Sequence, residues 1–442
     1  MTAFRTVLCC LLLAVAACAE TSYPVTLTEC YQRTVAHNPE IQQARLNLER
    51  AAGAQLVFAA RAFPRARTQF QAGAMQGSLY SEKPAPFAVV GSDAAQPLFD
   101  AGIPASRRRG ALEVILAQQQ LYRVTSEQLY AMRVAFWQTA LARELARIQR
   151  EIAGYAAANE KREQERLAIG QIGKQPVWQA KIQSLNLQVD QAHVEREQRA
   201  AATDLALLLG ESVATGAVVR LPVPEGKLEY NPLTVDSAVE SRRALAQRPD
   251  LRWLREMVRA TREDQRMIEA DLFPFVTLAA SGQYVPKSGL YTRAPQIVTG
   301  RDPRTTEALG GGTWTWRMGD NGAIIGASRR VAARREAMEV TLRRLEENVP
   351  RELAALSGAA ETAAAKMAAL RASLQQAKEL LQLAEQRVAL GEATQLDYRN
   401  AQANLLSTQT GLAQAAFESE LVRADLDRIT GRYLDVNLKV KP

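Results

Sequence analysis

Two stretches of this 442-residue chain, about Ala105 to Ala168 and about Ala323 to Leu390, read as helix with scarcely a break. At ~1.5 Å rise per residue, a helix of about 65 residues extends ~95–100 Å. A rod of that length has no place in a compact globule. Its apolar side must be covered by a coiled coil or bundle. The spacing agrees, since Leu374, Leu381 and Val388 recur every seventh residue, as do Leu370, Ala377 and Ala384. Ala363, Ala364 and Ala365 permit close helix approach. Pro350 is expected to kink the second rod, because it removes a backbone bond and crowds the preceding turn.

The two rods belong to an internal duplication. His37-Asn38-Pro39-Glu40-Ile41 resembles Gln247-Arg248-Pro249-Asp250-Leu251, and Phe63-Pro64 resembles Phe273-Pro274, both at a separation of 210. Arg166-Leu167-Ala168-Ile169-Gly170 matches Arg387-Val388-Ala389-Leu390-Gly391 at a separation of 221, and Leu209-Gly210 matches Thr430-Gly431 likewise. One insertion, in the loop Pro286 to Gly312, accounts for the change. Each half then reads as a helix (Leu27 to Arg61, Val235 to Asp271) broken at an X-Pro step, a strand-like pair, a long helix, a glycine turn and a returning helix closed by glycine. The expected boundaries are 1–17 for a leader, 18–26 for an anchor and linker, 27–210 and 233–431 for the repeats, 211–232 between them, and 432–442 for a tail.

The strand-like pairs alternate with period two. Val276, Leu278, Ala280 and Tyr284 alternate with Thr277, Ala279, Ser281 and Gln283; Thr68, Phe70, Ala72 and Ala74 alternate with Arg67, Gln69, Gln71 and Gly73; Trp314 and Trp316 alternate with Thr313, Thr315 and Arg317. Ala88 to Phe99 alternates less cleanly. A soluble hairpin with one wet face would look this way. So would a barrel wall with a polar lumen and an apolar, Tyr- and Trp-bearing outside. Four strands cannot close a barrel, and open edges are not viable in a bilayer, so the second reading requires several chains; three would supply twelve strands.

The N-terminus is a secretory address: a basic Met1 to Arg5, then an apolar Val7 to Ala17 too short to span. Val15-Ala16-Ala17-Cys18 resembles a bacterial lipobox with Cys18 as the acylated residue, and Ala17-Cys18-Ala19 also fits ordinary cleavage before Glu20. No other run is apolar enough for a membrane helix. Four cysteines, two of them in the leader, exclude a disulfide framework, and two histidines give no metal site. The charge of +8 arises from 55 basic and 47 acidic residues interspersed along helices, without a nucleic-acid-binding motif. GxSxG, HExxH, P-loop and CxxC signatures are absent, so no enzyme and no cofactor is expected. His37 reads as a helix-end residue and His193 as solvent-facing. The clusters Arg107-Arg108-Arg109, Arg329-Arg330 and Arg334-Arg335 follow the strands and read either as contacts to lipid phosphates or the duct mouth, or as a solvated face.

The leader, the duplicated layout, Asn-Pro-Glu-Ile, Phe-Pro before a strand, Pro97-Leu98-Phe99-Asp100-Ala101-Gly102 after one, and Arg-x-Ala-x-Gly at the helix tip together resemble the TolC-like outer-membrane efflux protein family. The resemblance implies a mainly α fold with a small β part: long coiled-coil helical hairpins plus four membrane strands per chain, trimerising into a 12-strand barrel and a 12-helix tunnel. It implies a passive exit duct in the outer membrane, working with a periplasmic adaptor and an inner-membrane pump of the proton-driven (RND) or ATP-driven (ABC) class. It places adaptor docking at the tips, around Arg166, Gly170, Arg387 and Gly391, and interface aromatics at Tyr284, Trp314 and Trp316. It also implies a pore gate at Asp397, where three copies would raise one another's pKa. The second acid that TolC carries three residues on is Asn400 here, and the matching position of the first half is Pro176. An ordinary helix-first-turn acid is the other reading of Asp397. The competing architecture is a secreted coiled-coil scaffold or adaptor without a barrel.

Overall fold

The computed structural model describes residues 21–77, 81–211, 220–226, 228, 230–287, 305–390 and 392–434. The leader, Cys18, Gly391 and the tail from 435 lie outside the described residues. The element order is β1 (Thr21–Val25), α1 (Leu27–His37), α2 (Pro39–Ala59), β2 (Arg65–Gly77), β3 (Ser81–Phe99), α3 (Ile103–Ala168), α4 (Lys174–Leu208) and β4 (Arg220–Pro224). It continues with α5 (Ser237–Gln247), α6 (Pro249–Glu269), β5 (Phe275–Lys287), β6 (Thr305–Thr315), α7 (Ala323–Ala389) and α8 (Gln395–Thr430). From α1 to α4 and from α5 to α8 the layout is the same. Among the described residues no helix is long and apolar enough to cross a membrane.

The contacts divide the chain into two units. One comprises the chain up to Arg45, Gln120–Arg252 and Arg344 onward; the other comprises Leu46–Gln119 and Trp253–Arg343. The first holds the lower-numbered ends of both repeats and the returning helices. Its main core joins Val25 and Cys30 to Leu129, Met132 and Phe136 of α3, Leu205 and Leu209 at the end of α4, and Tyr433. Each such fully buried side chain contributes roughly 1.5–3 kcal/mol. The second unit holds the four-stranded sheet, in the order β2-β3-β5-β6 with every pairing antiparallel.

Several details differ from the sequence expectation. The segments expected as linkers contain a strand pair, because β1 and β4 run parallel with Thr21 opposite Arg220 and Val25 opposite Pro224. Pro24, Pro222 and Pro224 hid these strands; such prolines fit short edge strands, where no ladder partner needs the missing N–H. The duplication shifts in two steps rather than one. Gly102 and Gly322 occupy the same post-strand turn, where each donates its N–H to Asp100 or Asp320, and they are 220 apart. The last residue of separation enters inside the rods, since α3 has 66 residues and α7 has 67. Pro350, the residue expected to kink the second rod, lies within the continuous α7, between the fully buried Val349 and Leu353.

The halves close by one device used twice. Gly210 ends α4 with φ +82° and Gly431 ends α8 with φ +72°. The N–H groups of Gly210 and Glu211 cap the carbonyls of Leu207 and Ala206, a Schellman arrangement. A Cβ on Gly210 would collide with the His37 carbonyl at the end of α1. A Cβ on Gly431 would lie 3.0 Å from the Gln247 carbonyl at the end of α5. Asn38 completes the first joint: its Oδ1 accepts from the N–H of Glu40 and Ile41 as the cap of α2, and its amide donates to the Leu208 carbonyl at 3.1 Å. Thus Asn-Pro is at once a helix cap and a clasp on the returning helix.

Gly170 has a similar φ of +74° but open space around it. Gly170→Ala should therefore cost only the left-handed backbone penalty of ~1–2 kcal/mol, whereas Gly210→Ala adds a backbone collision. Thermal unfolding of the two purified variants should show the larger fall in Tm for Gly210→Ala.

Candidate functional site

The register of the sheet decides what its two faces are. Residues directly opposite one another in antiparallel strands project to the same side. Phe70 lies opposite Val90, and Val90 opposite Tyr284. Ala66 lies opposite Ala94, Ala94 opposite Ala280, and Val276 opposite Trp314. One face therefore gathers alanine, Phe70, Val90, Leu278, Tyr284 and Trp314 across all four strands. The other gathers Arg67 opposite Asp93, Asp93 opposite Ser281, and Thr277 opposite Thr313, with Gln69, Gln71 and Gln283 in the same rows. Arg67 approaches Asp93 at 3.8 Å and donates to Gln69 at 2.7 Å.

Polar side chains interrupt the apolar face at Gln96, opposite Leu278, at Thr306, opposite Tyr284, and at Thr68 and Ser92. Thr68 and Ser92 lie opposite each other and share a hydrogen bond of 3.0 Å. Paired in this way they tolerate an apolar solvent, where an unpaired hydroxyl would be costly. Phe70, Leu278 and Trp314 are about half exposed or more, so the apolar face has no cover among the described residues. Among the described residues, neither outer strand, β2 or β6, has a partner on its far side.

Of the expected interface aromatics, Tyr284 and Trp314 stand on the apolar face. Trp316 does not, because β6 ends at Thr315. Its indole N–H donates to the Leu272 carbonyl at 3.1 Å, folding the ring back on the turn before β5, 6.2 Å from the Trp314 ring. The indole satisfied its polar group locally instead of continuing the strand.

The arginines after the strands are partly consumed by ion pairs. Arg108 meets Glu263 at 2.9 Å, and Arg109 meets Asp264 at 2.7 Å and also Glu113, so α3 is tied to α6 of the other half. These two are not free cations for phosphates. Arg335 donates to Gln265 at 2.9 Å. Arg107, Arg329, Arg330 and Arg334 are exposed.

At the other end of the rods, Gly170 reverses the chain, with the N–H of Gln171 donating to the Arg166 carbonyl. The second turn repeats this bond from the N–H of Glu392 to the Arg387 carbonyl. Arg166 pairs with buried Glu163 at 3.3 Å, and Arg387 reaches Glu392 at 4.0 Å. Asp397 sits in a capping box. Its carboxylate accepts from the N–H and the hydroxyl of Thr394, and its own N–H donates to the Thr394 hydroxyl oxygen. The hydroxyl and backbone bonds from Thr394 hold its carboxyl below the usual range. Within one chain Asp397 is thus the first-turn acid that the simpler reading describes, and any upward shift must come from neighbouring copies. Asn400 is exposed in the next turn of the helix. Sequence reasoning passed over Thr394, although Thr-x-x-Asp ahead of a helix is a capping-box pattern.

An open sheet with an apolar face and a polar face, on a chain of paired long helices, matches a known architecture. Residues 241–432 match the family model described as outer membrane efflux protein. This stretch is similar to an outer membrane efflux protein domain. The first half repeats its elements, and the fold of the whole is that of solved outer-membrane channels. The Campylobacter jejuni CmeC outer membrane channel is 14% identical, with a TM-score of 0.74 over 92% of this chain and 85% of that one. The Neisseria gonorrhoeae MtrE outer membrane channel, solved in its open state, is 18% identical, with a TM-score of 0.72 over 92% and 88%. The Vibrio cholerae outer membrane protein VceC is 16% identical, with a TM-score of 0.71 over 92% and 96%. No curated protein matches the chain.

The capping box ties tip stability to pH. With a folded pKa below the unfolded one, Asp397 stabilises the α8 start above the unfolded value of ~3.9, and this is lost as pH falls through the lower folded value. Protection of the Asp397 N–H against hydrogen exchange should fall across that acidic window, and Thr394→Val should remove the dependence.

Proposed function

We propose that the chain is the outer-membrane exit duct of a tripartite efflux or secretion system, passing substrates from the periplasm to the outside. The observation that carries this is the sheet: one face suited to lipid, one suited to water, and two open edges. An open edge in a bilayer leaves a row of backbone groups unsatisfied at several kcal/mol each. Pairing β6 of one copy with β2 of the next removes every edge when the ring closes. Three copies give twelve strands and twelve long helical segments, so the reading is a homotrimer with its barrel in the outer membrane and its tunnel in the periplasm. The family is one of channels rather than enzymes, and the transported molecule is chosen upstream, by an RND or ABC pump and its periplasmic adaptor.

In this reading Tyr284, Trp314 and Trp316 lie at the lipid–water interface and Cys18 carries an acyl anchor. Arg166, Gly170, Arg387 and Gly391 form the tip that meets the adaptor. Asp397, with Asn400 beside it, rings the resting pore. The proposed boundaries are 1–17, 18–26, 27–210, 211–232, 233–431 and 432–442, as leader, anchor, first repeat, linker, second repeat and tail.

The membrane assignment is tested by paired substitutions. Leu278→Arg on the apolar face should destabilise the folded barrel by roughly 2–4 kcal/mol if the site is near the bilayer midplane, while Gln283→Arg on the polar face should leave it assembled. Heat-modifiable migration of the extracted protein reads both. Equal tolerance of the two, with the chain recovered as a soluble monomer, would leave only the scaffold reading. Asp397→Ala should raise the resting conductance of purified trimers in planar bilayers.

A further inference from the structure

Beside the sheet, the first half neutralises its arginines with three carboxylates. Arg108 of α3 meets Glu263 of α6 at 2.9 Å, while Arg109 meets Asp264 of α6 at 2.7 Å and Glu113 one turn on. The duplication gives each of these residues a counterpart. At the separation of 221, Arg108 and Arg109 correspond to Arg329 and Arg330 of α7, and Glu113 corresponds to Arg334. At the separation of 210, Glu263 and Asp264 correspond to Gly53 and Ala54 of α2. The two cations are thus repeated and all three anions are lost, one of them to a further cation.

Arg329, Arg330 and Arg334 are exposed, and none has a hydrogen-bond or carboxylate partner among the described residues. Glu336, exposed two residues on, bonds to none of them. Arg330 and Arg334 stand one helical turn apart, where like charges repel. A second copy of the chain offers no relief at the positions that would repeat the first-half pairing, since these are Gly53 and Ala54. The cluster is open to an anion that this chain does not supply.

The place of the cluster says which anion. β2 and β5 begin, and β3 and β6 end, at one end of the sheet, since Arg65 lies opposite Ala95 and Phe275 opposite Thr315. Exposed Phe99, Phe275 and Trp314 stand at that end. The rod α7 leaves from it, with Arg329 ~9 Å and Arg334 ~17 Å beyond the helix start. Helix side chains lean toward the N-terminus, here toward the sheet. Arg65 and Arg107, near the same end, are likewise exposed and without a partner among the described residues. Guanidinium groups just past an aromatic rim are placed to meet the phosphates of a bilayer leaflet, which arginine grips through paired N–H donors.

We infer that Arg329, Arg330 and Arg334 form a binding site for the phosphate of an anionic phospholipid in the periplasmic leaflet of the membrane. This rests on the barrel reading above and adds to it a headgroup preference and the side chains that set it. The lipid takes the part that Glu263, Asp264 and Glu113 play in the first half.

The test places the full-length protein in phosphatidylcholine nanodiscs containing one quarter phosphatidylglycerol, and native mass spectrometry counts the lipids retained on each copy. Phosphatidylglycerol should be enriched roughly tenfold over its share of the disc. The enrichment should vanish in the triple variant Arg329→Gln, Arg330→Gln, Arg334→Gln, and weaken in Arg334→Glu, which restores the first-half carboxylate. It should persist in Arg343→Gln, an exposed arginine farther along α7, and in wild-type protein given excess inorganic phosphate. No preference in the wild type, equal preference in the triple variant, or displacement by inorganic phosphate would overturn the lipid site and leave the duct intact. A protein that never enters the discs would overturn both.

Discussion

An unfinished sheet governs this protein. Four antiparallel strands bring apolar side chains from both halves onto one uncovered face, and leave a row of backbone donors and acceptors at each end. Neither feature is stable in isolation, in water or in lipid. The apolar face asks for a bilayer, and a bilayer does not tolerate the edges. In the proposed duct, closure with further copies answers both demands. Thr68 and Ser92 on the apolar face obey the same rule on a small scale, since each satisfies the other.

The joint between halves is made by polar groups as well as packing. Arg133, on the first long helix, is almost buried against Asp427 and Glu420 of the last helix. Arg432 reaches back to Glu240 and Asp427, and Arg248 joins Asp250 to Glu352. Burying these charges is expensive unless each is paired, so the network penalises any arrangement in which one half slides along the other. Burial lifts the Tyr31 hydroxyl up to about 12 and pushes Tyr433 in the same direction, so both stay neutral beside the cluster. The same burial pushes the Cys30 thiol up to about 12, which leaves it a packing group rather than a reactive one.

Much of this was legible in the chain because periodicity is a local property. Heptad spacing marked the second rod, period-two alternation marked the strands, and His37-Asn38-Pro39 with Gln247-Arg248-Pro249 exposed the duplication. Trp316 misled because alternation alone cannot tell whether an indole continues a strand or turns back to a nearby carbonyl. Arg108 and Arg109 read as free cations because Glu263 and Asp264 lie some 155 positions away, and a sequence does not reveal which distant charges will meet. The β1–β4 pair escaped notice because prolines mask a strand that needs few ladder bonds.

By itself, then, the sequence determined the parts: two similar repeats, rods too long for a globule, strands with one apolar side, and glycines where the backbone must turn left-handed. These follow from steric and solvation preferences acting over a few neighbouring residues. Only the tertiary structure decided how the parts are joined: that β3 pairs with β5 so the halves share one sheet, that the faces align across four strands, and that Gly210 is required by the His37 carbonyl against it. Those outcomes depend on contacts between residues far apart in the chain, where register and close approach are set by packing rather than by local preference.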